Sequence, residues 1–159
     1  MNSITLILVI AAALGSALVG GIFFAFSNFV MPALARVPAT AGMQAMQSVN
    51  VVVLNRGFLA LFAGTALLFV GLMILSLLQW TSPHGPYLMG AAVAYLVGTW
   101  GVTIAGNVPL NDRLARQVPG EPEAEQQWTH YLERWTRLNT QRTGAAILAA
   151  VLLLLALMQ

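Results

Sequence analysis

The chain has no cysteine and no lysine, and only one aspartate, Asp112. Without cysteine there are no disulfides, thiolate metal sites or redox dithiols. Charge is scarce as well: 8% of the 159 residues are charged against 58% hydrophobic, where a soluble domain has about a quarter charged. All seven basic residues are arginines, and the excess over acids is two charges, too small to imply a nucleic-acid partner. The two histidines, His84 and His130, lie far apart in sequence. A protein-only metal centre therefore has little support. No nucleotide-binding loop or nucleophile triad is present.

What the chain has instead is long apolar runs. Residues 4–29 carry no charge and exceed the roughly 20 residues that cross a bilayer's hydrocarbon. The run lacks a basic leader and is too long for a signal core, so it reads as a retained span. Three more spans are expected at about 57–80, 87–106 and 143–158. Together they predict an all-α fold, a single four-transmembrane-helix domain over 1–159. Small residues recur every fourth position at Ala12, Ser16 and Gly20, with Gly21 and Ala25 behind them, and again at Gly90, Ala94 and Gly98. Such spacing lets helices approach closely.

Between spans one and two, Met43, Met46, Val49 and Val53 fall at helical spacing with Gln44, Gln47 and Asn50 between them. This predicts a short interfacial helix. Thr81 to Pro86 is a tight turn, with His84 expected to be solvated and Trp80 to anchor at the membrane boundary. Pro109 is expected to end the third span near Gly106 or Asn107, because proline lacks an amide hydrogen and disfavours helical angles before it. A last helix should begin near Glu121, with Pro122 in its first turn, and Glu133 and Arg137 are spaced as an i,i+4 pair. Trp128, Tyr131, Trp135, Leu138 and Arg142 share one of its faces, and Arg142 is expected to snorkel.

All 12 charged residues lie in the first and third loops. The arginine bias places those loops in the cytoplasm and both termini outside, in a bacterial inner membrane. The loops also echo one another. Asn28, Pro32 and LARVP (34–38) parallel Asn107, Pro109 and LARQVP (114–119), which suggests a duplicated hairpin.

This topology brings four polar clusters to one membrane level: Asn28; Asn55 and Arg56; Asn107 to Asp112; and Asn139 with Arg142. They either line a cavity or cap helix ends. As a site, Asp112, His130 and Arg142 are the candidate catalytic residues. Asn50, Asn55, Trp100, Asn107, Asn111, Trp135 and Asn139 are the candidate substrate contacts. For Asp112, an ion pair with Arg142 or Arg113 is a commoner role than that of a base.

The motifs GIFFAFSNFVMPAL (21–34), GMQAMQSVNVVVLN (42–55), GNVPLND (106–112) and Trp135 with LNTQR (138–142) resemble the DUF1772 family, which includes the anthrone oxygenases of aromatic polyketide pathways. The resemblance covers nearly the whole chain. It implies an oxidoreductase that converts a flat phenolic or quinol-type ring with molecular oxygen, and implies Asn50, Asn55, Asn107, Asn111, Trp135, Asn139 and Arg142 as motif residues. The chain departs from the pattern at Arg56, where many members carry proline, and at Thr140, where many carry histidine. No cofactor is expected, although a noncovalent haem or quinone would leave no motif. The expected partners are the bilayer, a hydrophobic aromatic molecule, and a second copy or another membrane protein. The alternative function is a non-catalytic accessory or ligand-binding module.

Overall fold

The computed structural model describes residues 1–121 and 123–159; the expectation for Pro122 lies outside the described residues. Among the described residues the chain is all-helical, and four of its five helices are long and apolar enough to cross a membrane. We label them α1 (Ser3–Leu34), α2 (Ala39–Val52), α3 (Arg56–Leu78), α4 (Gly85–Ala115) and α5 (Glu123–Ala156). The four long helices run alternately up and down in a ring. α1 packs on α3 and α5, and α4 packs on the same two. Helix α2 is the expected short helix, and it lies across the end where the charged loops gather, with Met43 and Met46 buried.

The small residues do what their spacing predicts. Ala12, Ser16 and Gly20 are buried, and Ser16 Oγ donates to the Ala146 carbonyl of α5 at 2.8 Å. A Cβ on Gly20 would lie 3.4 Å from the Ala146 methyl, and one on Gly98 would collide with Ala145. Gly21 lies outside this contact, with nothing near its Cβ position.

Three expectations are corrected. First, Pro109 does not end α4, which stays helical to Ala115. The residues before it, Thr103–Asn107, form a π-helical turn in which the Val108 amide reaches back to the Thr103 carbonyl. The wider turn gives the proline ring room that an α-turn denies it. Pro32 is accommodated in α1 the same way, after a π-turn over Phe26–Val30. Second, His84 is buried rather than solvated, with Nε2 3.1 Å from Gln79 Oε1. Third, α5 is one continuous helix in which Arg142 is 6% exposed. It points into the bundle instead of snorkelling. Trp80 is exposed, consistent with an anchor.

A second hydrophobic layer joins α2, the end of α4 and the start of α5. Met31, Met43, Met46, Leu114, Trp128 and Tyr131 are its buried centre. Gln47 ties α2 down by donating to the carbonyls of Leu114 and Gln117 at 2.8 and 3.0 Å.

Candidate functional site

Between this layer and the bundle lies a cavity of about 270 Å³, bounded by α1, α2, α3, α4 and α5. Its walls are mostly apolar. Phe58 stacks on Phe62 and Phe62 on Trp100, with centroids 5.6 and 4.9 Å apart and rings within 16° and 11° of parallel. Leu54, Leu59, Ile104 and Val108 line it too while remaining 64%, 43%, 58% and 42% exposed, so the mouth is apolar. The polar groups on its lining are few: Asn50, Thr103, Asn111 and Arg142, with the indole edges of Trp100 and Trp135.

Arg142 is the centre of the polar end. Its guanidinium carbon sits 3.9 Å from the Phe23 ring centroid and 5.1 Å from that of Trp135, positions that stabilise a cation by the ring quadrupoles. Nε donates to Asn139 Oδ1 at 2.9 Å and Nη1 to Thr103 Oγ1 at 3.2 Å. These partners are neutral, so the buried positive charge is solvated by an amide, a hydroxyl and two rings rather than by a carboxylate. Asn139, 0% exposed, is itself fixed by donating to the Phe23 carbonyl and to Ser27 Oγ, both at 2.6 Å. Thr103 is held by its bond to the Thr99 carbonyl at 2.7 Å, and Thr99 donates to the Arg142 carbonyl at 3.2 Å. Thr103 thus engages the backbone of the widened part of α4, while Thr99 ties α4 to α5.

A second polar group surrounds Asn111. Its Oδ1 accepts from Trp135 Nε1 at 2.8 Å and from the Tyr131 hydroxyl at 2.9 Å. Asn50 Nδ2 lies 3.5 Å from the same hydroxyl.

The expected site residues divide clearly. Asn50, Trp100, Asn111, Trp135 and Arg142 meet at the cavity. Asn139 stands behind Arg142 and orients it. Asn107 is buried with its Nδ2 donating to the Trp135 carbonyl at 3.2 Å, behind the cavity wall. Asn55 is exposed and caps α3, accepting from the Phe58 amide at 3.0 Å. Asn28 is exposed, and Ser27 beside it makes the contacts to α5. Asp112 and His130, the expected bases, are exposed and outside the cavity lining. Asp112 follows Asn111 by about 100° around α4, so the two cannot face the same way. His130 instead borders a surface groove with Glu133, Arg134 and Arg137. Arg142 is engaged by Asn139 and Thr103 rather than by Asp112.

Several residues of the site were not among the expected site residues: Phe23, Phe58, Phe62, Thr99, Thr103 and Tyr131. Thr99 and Thr103 carried a signal, two hydroxyls one turn apart in an apolar span. Tyr131 carried another, its place on the Trp135 and Arg142 face. Among the described residues no group of three or more His, Asp or Glu side chains is placed to hold a metal.

A family model described as anthrone oxygenase matches residues 51–152. The matched stretch runs from the end of α2 through most of α5 and includes every polar cavity residue except Asn50. No curated protein and no solved structure matches the chain.

Proposed function

The chain belongs to the anthrone oxygenase family, and from that membership we propose that it oxidises a flat, hydrophobic phenolic or quinol-type ring with molecular oxygen inside the membrane. The observation that carries this reading is the buried Arg142, held by neutral partners at the polar end of an aromatic-lined cavity. A cation solvated this way favours an anionic ligand oxygen, and preorganised donors facing developing charge are an effective source of catalysis. The cavity volume of about 270 Å³ lies just below the usual range for ligand sites, roughly 300–1,000 Å³, which suits a small molecule of two or three rings.

With an anthrone as substrate the chemistry balances without a bound oxidant. Loss of a proton from the ring methylene gives an enolate whose oxygen faces Arg142. The carbanion carbon then transfers its electron pair to dioxygen, forming a carbon–oxygen bond and, after protonation, a hydroperoxide. Loss of the second methylene proton with cleavage of the oxygen–oxygen bond leaves the quinone carbonyl and water. The lining contains no carboxylate or imidazole among the described residues. We therefore assign the first proton to water, with Arg142 raising the acidity of the bound ring, and assign no role to Asp112 or His130. No metal or flavin is invoked, because the carbanion itself supplies the electrons.

A non-catalytic ligand-binding module is the second reading, favoured by the share of the polar layer that serves the fold: Asn55, Asn107 and Asn139 each bond to backbone. Oxygen uptake by the protein in nanodiscs, with anthrone as probe, separates the two. The oxygenase consumes one dioxygen per quinone formed, and Arg142→Gln lowers the rate by about a hundredfold or more. Anthrone binding without accelerated uptake leaves the module. Uptake abolished by a metal chelator overturns the cofactor-free scheme.

A further inference from the structure

The orientation of the Asn111 amide is fixed by its surroundings. Indole N–H can only donate, so the Asn111 atom 2.8 Å from Trp135 Nε1 is necessarily the amide oxygen. The Tyr131 hydroxyl donates to that same oxygen at 2.9 Å. With the oxygen engaged on the Trp135 and Tyr131 side, the NH₂ group is the part of the amide left for the cavity that Asn111 lines. Arg142 lines the same cavity with Nε and one bond of Nη1 committed, leaving Nη2 available. Trp135 stands between the two, donating to Asn111 through its ring nitrogen and lying 5.1 Å from the Arg142 guanidinium carbon.

We infer that Asn111 and Arg142 form a two-donor clamp for a pair of oxygens at one edge of a flat aromatic ligand, the pair carrying a negative charge. The inference rests on reading the cavity as the ligand site. Arg142 receives the charge and Asn111 Nδ2 the second oxygen, while Trp135 and Tyr131 are positioning residues that keep the amide from turning over. A ligand with a single oxygen uses only Arg142. The clamp therefore discriminates by oxygen pairing at the ring edge, and ring size is left to the aromatic walls.

Asn111→Asp and Asn111→Ala together test this role. An aspartate keeps the acceptor for Trp135 and Tyr131, removes the NH₂ donor and directs a carboxylate oxygen at the ligand. The probes are anthracene-2-carboxylate, whose carboxylate presents the oxygen pair, and anthracene, which has none. Both are followed by their own fluorescence with the protein in nanodiscs. The expected result is a tenfold or greater weakening for the carboxylate in Asn111→Asp, with anthracene affinity within twofold of wild type. Comparing one ligand across two proteins cancels its partition into lipid. Equal carboxylate affinity in variant and wild type overturns the clamp and leaves the cavity assignment standing. Failure of the wild type to bind either ring overturns the cavity assignment and the clamp with it. Asn111→Ala removes the donor without adding a charge and should weaken the carboxylate several-fold, with anthracene within twofold of wild type. A loss confined to Asn111→Asp is repulsion by the new carboxylate and overturns the clamp. Should Asn111→Asp not purify as a folded species, Asn111→Ala carries the test alone.

Discussion

At the scale of single residues, the site depends on asparagines that differ in what they bond to. Asn139 is the one whose loss should be felt twice. Its oxygen holds Arg142 Nε and its nitrogen holds the Phe23 carbonyl and Ser27 Oγ. Replacement by alanine leaves a buried guanidinium N–H without its partner, at a cost of about 1–3 kcal/mol, while the Phe23 carbonyl keeps the Phe26 amide. Asn139→Ala should lower the melting temperature and the oxygenation rate together. In an Arg142→Gln background it should still lower the melting temperature yet lower the rate no further. A further rate loss in that background would mean that Asn139 acts on the ligand directly rather than through Arg142. The sequence pointed to Asn139 and Arg142 because polar groups entering an apolar span need partners. It could not separate Asn111 from Asp112, because adjacent polar residues look alike until the helix phase is known. The phase there depends on a π-turn, and a strict 3.6-residue count through residues 103–107 misplaces everything after it.

At the scale of elements, periodicity made the spans and α2 legible, while the proline rule misread where α4 stops. Helices α1 and α4 both pass their proline after a five-residue π-turn ending two residues before it, Phe26–Val30 ahead of Pro32 and Thr103–Asn107 ahead of Pro109. The shared register gives the suggested duplicated hairpin a structural parallel that letter matching between Asn28 and Asn107 lacks, since those asparagines sit at different distances from their prolines. The placement of α2 rests on Gly42. A Cβ there would meet the Leu34 carbonyl oxygen at 2.8 Å and Trp128 at 2.9 Å. Backbone on one side and a buried indole on the other give little room, so Gly42→Ala should cost about 1–3 kcal/mol as overpacking. Because α2 supplies Met46, Val49 and Asn50 to the cavity wall, the same variant should bind anthracene more weakly. An unchanged melting temperature would show that Trp128 moves aside freely and that α2 is not seated by this contact.

At the scale of the whole molecule, charge distribution and cavity position are linked. Every charged side chain belongs to the end of the bundle that carries α2, the 116–121 connection and the start of α5. The 79–84 turn and both ends of the chain carry no charged side chain. Arginine near membrane helices is retained on the cytoplasmic side, so the charged end should face the cytoplasm. The cavity lies at that end, and its apolar mouth of Leu54, Leu59, Ile104 and Val108 should open into the cytoplasmic leaflet, where a hydrophobic ring produced inside the cell would partition first. The absence of cysteine makes this directly measurable, because any introduced thiol is the only one. Ser3→Cys and Ser82→Cys should react with a membrane-impermeant maleimide in intact cells, whereas Gln117→Cys should react only after the membrane is opened. The reverse pattern would place the mouth in the outer leaflet. It would also mean that the seven arginines do not set the orientation of this bundle, and a substrate would then have to reach the cavity from the far side of the membrane.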